Sequence, residues 1–208
     1  SGMLSVVAYL SVKEDSAEAF EKSFLQSAAR VHSNEPGCLL YQLCKDRKVK
    51  GKFTVIELYQ DAEALKVHQK NLVANADPAQ AAMFAGPPEV LVMPVIGPPG
   101  AKAGTAKLAI VAELPVKDGD GFEKATLPLI EEVQAKEKGN LLYCFGKHPK
   151  EPKFVVTELY TDKEAIQHHG GTEYFKAGGK RQAPFMGGAP KMSIMEAVGP
   201  SGAKPTAK

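Results

Sequence analysis

The sequence contains no tryptophan, three cysteines and no long run of apolar residues. A helix that crosses a membrane needs ~20 consecutive apolar residues, so the composition predicts no membrane partner. The odd number of cysteines argues against a disulfide framework and favours reduced thiols in a cytoplasmic protein. Cys38 and Cys44 by themselves cannot supply the four ligands of a structural zinc site, so no metal is expected.

The chain also lacks a strong excess of charge of either sign. Its 26 basic and 24 acidic residues leave a formal net charge of +2. A nucleic-acid-binding domain normally carries a pronounced basic surface. The charge balance therefore predicts no nucleic-acid partner.

One stretch of the sequence occurs twice. FTVIELYQDAEALKVHQKNLV begins at Phe53, and FVVTELYTDKEAIQHHGGTEYF begins at Phe154. Nine identical residues recur at an offset of 101 positions, and they include Glu57 and Glu158, Tyr59 and Tyr160, and His68 and His169. The chain is therefore a duplication, and each copy has the length of a small domain.

The duplication predicts two domains, at residues 3–97 and 107–199. Residues 98–106 are rich in Pro, Gly and Ala, a composition typical of a linker. Residues 200–208 form a tail whose sequence repeats the linker, as GPSGAKPTAK from Gly199 and GPPGAKAGTAK from Gly97 show. Two interpretations of this tail stay open at this point: a disordered relic of the duplication, or the connection to a further domain.

Each copy has the element order β-α-β-β-α-β. Asp15 and Asp120, each followed three residues later by Glu, are predicted caps of the first helices, and Asp61 and Asp162 are predicted caps of the second helices. Pro128 is expected to kink or shorten its helix. The order predicts an α+β fold of two ferredoxin-like units, each with both helices on one face of a four-stranded sheet.

Several strands carry apolar residues on both faces, so the second face of each sheet also needs cover. We predict that the two sheets pack face to face as an intramolecular α+β barrel, a pseudo-dimer within one chain. Further homo-oligomerisation is left open.

The motifs of both copies resemble the antibiotic biosynthesis monooxygenase family of dimeric α+β barrels. They are EPGCLLY at 35–41 and KGNLLY at 138–143, the ELY tripeptides before the second helices, and the histidines His68 and His169 within those helices. The resemblance covers both copies and implies the barrel. It also implies a monooxygenase that needs no cofactor and acts on a quinol- or polyphenol-like molecule with O2.

The resemblance carries over to particular residues. The family commonly has Glu-x-Trp before the second helix and His-x-x-Thr-x-His within it. Tyr59 and Tyr160 stand at the Trp position, and His68 and His169 match the first His. Thr172 and Tyr174 stand at the Thr and second His of the second copy, where the first copy has Asn71 and Val73. The second copy keeps more of the pattern and is the predicted active one.

Oxygenation without a cofactor needs a base that titrates near neutral pH, an apolar slot and hydrogen-bond donors. His169 is the candidate base or orienting residue, with His68 its weaker counterpart. Tyr160 and Tyr174 are the candidate donors. The residues expected to bind substrate are Thr172, Phe175, Tyr59 and Met195. Glu57 and Glu158 are expected to bond the backbone or cap loops.

Two other functions compete with this one. The tandem could be a non-enzymatic module for small-molecule binding or assembly, since a histidine beside Ala64, Leu65 and Leu72 on a helix face is commonly a residue at the edge of the core. Haem degradation is the other, because relatives with that activity resemble one another in an Asn, a Trp and a ligand His. The missing Trp, and the first strands without Asn, weigh against haem degradation.

Overall fold

The structure is a computed structural model and describes residues 2–206. The first half comprises β1 (Leu4–Ser11), α1 (Ala17–Asn34), β2 (Cys38–Asp46), β3 (Lys52–Tyr59), α2 (Ala62–Ala74), α3 (Pro78–Ala81) and β4 (Glu89–Ile96). The second half comprises β5 (Leu108–Pro115), α4 (Gly119–Lys136), β6 (Asn140–Lys147), β7 (Lys153–Tyr160), α5 (Lys163–Gly171), α6 (Glu173–Gln182) and β8 (Lys191–Val198). Short 3-10 turns lie at Glu14–Ser16 and Ala183–Phe185.

The eight strands form one closed antiparallel barrel in the order β1-β3-β2-β8-β5-β7-β6-β4. The two halves join edge to edge at two seams, where Leu43 of β2 pairs with Val198 of β8 and Val95 of β4 pairs with Gly146 of β6. The seams are short, with four residue pairs between β2 and β8 and two between β4 and β6, and they close the barrel. The predicted intramolecular α+β barrel is confirmed.

Alternation along the strands produces an inner and an outer core. On β3, Ile56 packs inside the barrel with Met93 and Leu159, whereas its neighbour Val55 packs outside against Phe20 of α1. Successive side chains of a strand point to opposite faces, so strands that are apolar on both faces need both cores. Each fully buried Ile, Leu or Phe contributes roughly 1.5–3 kcal/mol.

The helix starts match the sequence prediction for the second helices and differ for the first ones. Asp61 and Asp162 cap α2 and α5, and each accepts a backbone hydrogen bond at 2.8 Å. In α4 the capping residue is Asp118 instead of Asp120. Asp15 lies in the 3-10 turn before α1 and caps no helix.

The second half departs from its sequence pattern at two places. α4 runs through Pro128 and has 18 residues, the same length as α1, so the proline does not shorten it. α5 ends at Gly171. A further helix, α6, then begins at once because the Thr172 side chain caps it, and this helix was not predicted.

The linker and the tail are both packed against the barrel. The linker binds the second half, and the tail binds the first half. The linker lies along β6, where Lys102 N donates to Leu141 O at 3.0 Å. The tail lies along β2, where Lys204 N donates to Leu39 O at 2.8 Å. Each half is thus fastened by the segment that follows the other half. The interpretation of the tail as a disordered relic is wrong for residues 200–206, and Ala207 and Lys208 lie outside the described residues.

Within residues 2–206, no helix has the length and apolar character that a membrane crossing requires. Cys38, Cys44 and Cys144 are all buried, and none of them forms a disulfide. Burial raises the pKa of the Cys144 thiol to about 12, which keeps it protonated and unreactive.

Candidate active site

His169 is the centre of a buried polar group in the second half. It lies in the last turn of α5 and is 6% exposed. Its Nδ1 lies 2.9 and 3.0 Å from the two carboxylate oxygens of Glu137. An ionised carboxylate can only accept hydrogen bonds, so Nδ1 donates. In the neutral imidazole, Nε2 is then left without a proton and can act as a base.

Glu137 comes from a different part of the fold. It terminates α4, where its backbone N–H donates to Val133 O at 3.0 Å. Its side chain is 2% exposed and pairs with His169 32 residues further along the chain. A buried carboxylate is costly unless it is paired, so the glutamate and the histidine stabilise each other.

A second carboxylate lies on the other side of the imidazole. Glu158 Oε1 is 3.9 Å from His169 Nε2. Glu158 and Tyr160 are two residues apart on β7 and share a face of the strand, and the Tyr160 hydroxyl donates a hydrogen bond to the Glu158 carboxylate. The expectation that this glutamate bonds the backbone or caps a loop is therefore wrong.

Burial raises the pKa of Glu158, because desolvation disfavours its ionised form, while His169 and the Tyr160 hydroxyl partly oppose the shift. Burial likewise raises the pKa of Tyr160 and that of Tyr143 far above the usual value for tyrosine. Both phenols therefore stay protonated at neutral pH. The site holds one imidazole between two carboxylates, with protonated phenols around them.

An apolar cavity of about 630 Å³ opens beside this group. It lies between the outer face of the β5–β8 region and α6, and Glu158, His169 and Gln182 are among its few polar residues. Its walls are mostly aliphatic and aromatic side chains, among them Ile110, Leu129, Tyr143, Phe145, Phe175 and Ile194. Volume and composition are typical of a pocket for an organic small molecule.

The sequence-predicted residues of α5 and α6 separate into two groups. Phe175 lines the cavity, and its ring centroid is 4.7 Å from that of His169. Thr172 caps α6, accepting from Phe175 N at 3.2 Å and donating to His169 O at 3.0 Å. Tyr174 lies outside the cavity, with Lys136 Nζ 5.4 Å above its ring. Thr172 and Tyr174 thus support the helices and do not line the cavity.

Met195 lies inside the barrel, on the opposite face of β8 from the cavity. It is 5% exposed and packs in the inner core. Its neighbours Ile194 and Met192 line the cavity instead. Side chains alternate along a strand, so Ile194 points to the cavity and Met195 points away from it. The expectation that Met195 lines the substrate slot is wrong.

The first half contains the same polar group. His68 Nδ1 lies 2.9 Å from Glu35, and His68 Nε2 lies 3.8 Å from Glu57. Tyr59 is fully buried and donates to Glu57. It therefore has no exposed surface with which to contact a substrate, contrary to expectation. Burial raises the pKa of Glu57 to about 8. Asn71 adds a hydrogen bond to Glu35 at 3.2 Å.

The two halves differ in the space around this group. In the first half, Phe24 stacks on Tyr41 with ring centroids 5.5 Å apart. The repeat-equivalent residue of the second half is Thr126, whose hydroxyl donates to Phe122 O at 2.7 Å and accepts from Gln182 at 2.8 Å. Beside His68 the first half has a polar crevice of about 210 Å³. The large apolar cavity belongs to the second half.

Sequence reasoning missed Glu35 and Glu137 as members of the site. The available signal was their equivalence, since Glu35 and Glu137 occupy the same place in the two copies, a helix C-terminus just before the strand that carries Tyr41 or Tyr143. Within residues 2–206, no three His, Cys, Asp or Glu side chains are grouped to hold a metal ion.

The fold and site together define a tandem α+β barrel with a carboxylate-oriented histidine beside an apolar cavity. The model of the family described as antibiotic biosynthesis monooxygenase matches residues 3–83 and 108–181. The chain therefore belongs to the antibiotic biosynthesis monooxygenase family, and it carries two copies of the family domain.

Solved structures share the whole architecture. A candidate monooxygenase from Lactobacillus acidophilus superposes with a TM-score of 0.80 at 16% identity, covering 95% of this chain and 94% of its own. A candidate monooxygenase from Fusobacterium nucleatum gives 0.79 at 19% identity, covering 100% and 99%. An anthrone oxidase-like protein gives 0.56 at 11% identity, covering 100% and 96%. No protein of curated function matches in sequence. These likenesses show the fold.

Proposed function

We propose that the second half is the active half of a cofactor-independent monooxygenase that acts on a quinol- or polyphenol-like molecule with O2. The observation that carries the proposal is the imidazole of His169, which is oriented at Nδ1 by Glu137 and lines an apolar cavity of about 630 Å³. Family membership supports the reaction class, and the cavity supports the substrate class.

The cavity suits an aromatic substrate with an acidic hydroxyl group. Tyr143, Phe145 and Phe175 offer ring faces and edges, against which aromatic ligands pack in offset or edge-to-face arrangements. Two of its polar groups, Glu158 and His169, lie together. A polyphenol can therefore bury its rings against the apolar wall and bring one hydroxyl to the imidazole.

His169 takes the hydroxyl proton at Nε2 in this proposal. Its side chain is then cationic, and the carboxylates of Glu137 and Glu158 stabilise the charge on both sides. The resulting phenolate is electron-rich enough to pass one electron to O2 directly. The radical pair combines into a peroxide at a ring carbon that carries hydrogen. The C–H bond at this carbon gives up its proton as the O–O bond breaks, so one oxygen atom becomes a carbonyl of the product and the other leaves as water. The substrate supplies all four electrons.

Glu158 has a second part in this scheme. Its Oε1 lies 3.9 Å from His169 Nε2, and burial raises the pKa of its carboxyl. It can therefore share the proton that His169 has taken. This proton returns to the departing oxygen as water forms, which is general acid catalysis by the same pair. Tyr160 fixes the Glu158 carboxylate by its hydrogen bond.

The test is oxygen uptake with a panel of quinols and polyphenols. His169→Ala is expected to lower kcat by roughly 10²–10⁴, the usual contribution of a positioned base. His68→Ala is the matched control, because it removes the same residue from the half without the large cavity and is expected to keep the wild-type rate. Equal losses in both variants would contradict the assignment of the reaction to the second half.

A binding module without turnover is the second candidate, because the first half retains the complete polar group without the large cavity. A wild-type protein that binds members of the panel but consumes no O2 would support the module and refute the monooxygenase. A change in haem absorbance on mixing would instead indicate the haem chemistry considered above.

A further inference from the structure

The linker places a lysine directly against the residue that orients His169. Lys102 Nζ donates to the backbone carbonyl of Glu137 at 2.8 Å. Glu137 closes α4, and the last carbonyls of a helix carry partial negative charge and have no partner within the helix. An ammonium group at this position donates to a carbonyl at the negative end of the helix, and it fixes the backbone from which the Glu137 side chain projects.

The linker also binds the strand that follows Glu137. Its backbone pairs with β6, where Lys102 N donates to Leu141 O at 3.0 Å and Tyr143 N donates to Pro99 O at 3.2 Å. Tyr143 lines the cavity, and its ring centroid lies 5.1 Å from that of His169. The linker therefore fixes both the residue that orients the imidazole and a residue of the cavity wall.

The first half contains an independent copy of this arrangement. Lys204 of the tail donates from Nζ to Glu35 O at 2.7 Å and to Cys38 O at 2.6 Å. The tail backbone pairs with β2, where Tyr41 N donates to Ser201 O at 2.9 Å. Glu35 is the residue that holds His68. A lysine on the carbonyl of the histidine-orienting glutamate thus occurs twice, each time from the segment that follows the opposite half.

We propose that Lys102 is a positioning residue of the His169 site, supplied by the segment that follows the first half. It keeps the Glu137 carboxylate on His169 Nδ1 by anchoring the end of α4. The site of the second half is incomplete without this segment. The assignment deepens the proposed function, on which its catalytic consequence rests, whereas the position of the imidazole proton can be measured without any substrate.

The test is ¹H–¹⁵N correlation spectroscopy of the imidazoles in the full chain labelled at its five histidines, with His169→Ala and His68→Ala used for assignment. The wild type is expected to show His169 as the tautomer protonated at Nδ1. Lys102→Met, which keeps the apolar stem of the side chain, is expected to give a mixture of tautomers at His169 and leave His68 unchanged. Lys102→Arg is expected to restore the wild-type spectrum.

Lys204→Met is the matched control and is expected to disturb His68 and leave His169 unchanged. A folded Lys102→Met variant with a wild-type His169 spectrum would overturn the proposal. So would a variant in which both histidines change equally, since that result indicates a general loosening of the barrel.

Turnover gives a separate readout. If the wild type consumes O2 with a polyphenol, Lys102→Met should lower kcat about tenfold with little change in KM, less than the ~10² that a 1 Å misplacement can cost. A wild type without turnover would refute the proposed function alone, and the imidazole spectra would still decide the role of Lys102. Unchanged kcat in Lys102→Met of an active protein would overturn that role.

Discussion

Glu137 and His169 meet at 2.9 Å although one residue ends α4 and the other lies in α5, on the far side of a β-hairpin. The same pairing of helix end and helix recurs in the first half between Glu35 and His68. The pair therefore belongs to the duplicated fold itself. What distinguishes the halves is the space beside the imidazole, which is a large apolar cavity in one and a filled core with a polar crevice in the other.

Glu137→Gln should impair the second half specifically. A glutamine can present its NH₂ group to Nδ1, which favours the tautomer protonated at Nε2 and removes the base from the cavity side. We expect kcat for oxygen uptake to fall by roughly 10²-fold or more and the imidazole spectrum of His169 to change tautomer. Glu35→Gln is the control and should leave both readouts of the second half at wild-type values.

The sequence predicted the elements of this site better than its contacts. The repeat offset and the apolar strands were enough to predict two units and a closed barrel, because burial of both sheet faces has few solutions. Glu137 was missed because a pairing between the ends of two different helices depends on tertiary geometry. Met195 was misplaced because a shift of one residue along a strand changes the face.

The linker and the tail show a different limit of sequence reasoning. A composition of Pro, Gly and Ala is typical of flexible segments, and nothing local distinguishes a flexible segment from a packed one. Ala101 and Ala106 are buried in the inner core, and Lys102 and Lys204 bond helix ends. The sequence shows that the two lysines recur in both copies. The half to which each segment binds is determined by how the two halves pack in the barrel.

A larger side chain in the cavity beside His169 should block ligand binding there without unfolding the protein. A Cβ added at Gly179 meets nothing within 4 Å, and Gly179 lines the cavity from α6. Gly179→Leu should weaken binding of an apolar fluorescent probe about tenfold or more, while the gain in helix propensity, up to about 1 kcal/mol, maintains or raises Tm. Probe titration and thermal unfolding measure the two effects.

Gly171→Leu is the matched control for that substitution. A Cβ at Gly171 also meets nothing within 4 Å, but this glycine ends α5 outside the cavity lining. The variant should bind the probe like the wild type. Equal weakening in both variants would contradict the location of the cavity as the probe site.

Phe24, which fills the space beside Tyr41 in the first half, should contribute more to stability than its repeat equivalent Thr126. Phe24 is 7% exposed and packs on Phe20 and Tyr41, so Phe24→Ala should cost about 3–5 kcal/mol of unfolding free energy. Thr126→Ala removes two hydrogen bonds and should cost about 1–3 kcal/mol. Denaturant unfolding measures both, and a larger cost at Thr126 would show that the first half is the less tightly packed one.

The buried carboxyl of Glu57 should give the protein a pH-dependent stability. Desolvation raises its pKa from 4.5 to about 8, reinforced by Glu35 and opposed by the Tyr59 hydroxyl; His68 Nε2 also faces it, at 3.8 Å. Between these pH values the folded state retains a proton that the unfolded state has lost. The free energy of unfolding must therefore fall as pH rises from about 4.5 to about 8, by at most about 1.4 kcal/mol per pH unit.

Glu57→Gln should remove this contribution, because the amide is neutral at every pH and its oxygen still accepts from Tyr59. The variant is thus expected to gain stability relative to the wild type as pH is raised from 5 toward 8. Urea unfolding at several pH values gives the difference. Glu63→Gln, at an exposed residue of α2, should leave the wild-type slope unchanged. Parallel curves for wild type and Glu57→Gln would mean that Glu57 is already ionised in the folded protein at pH 5, with its charge held by His68.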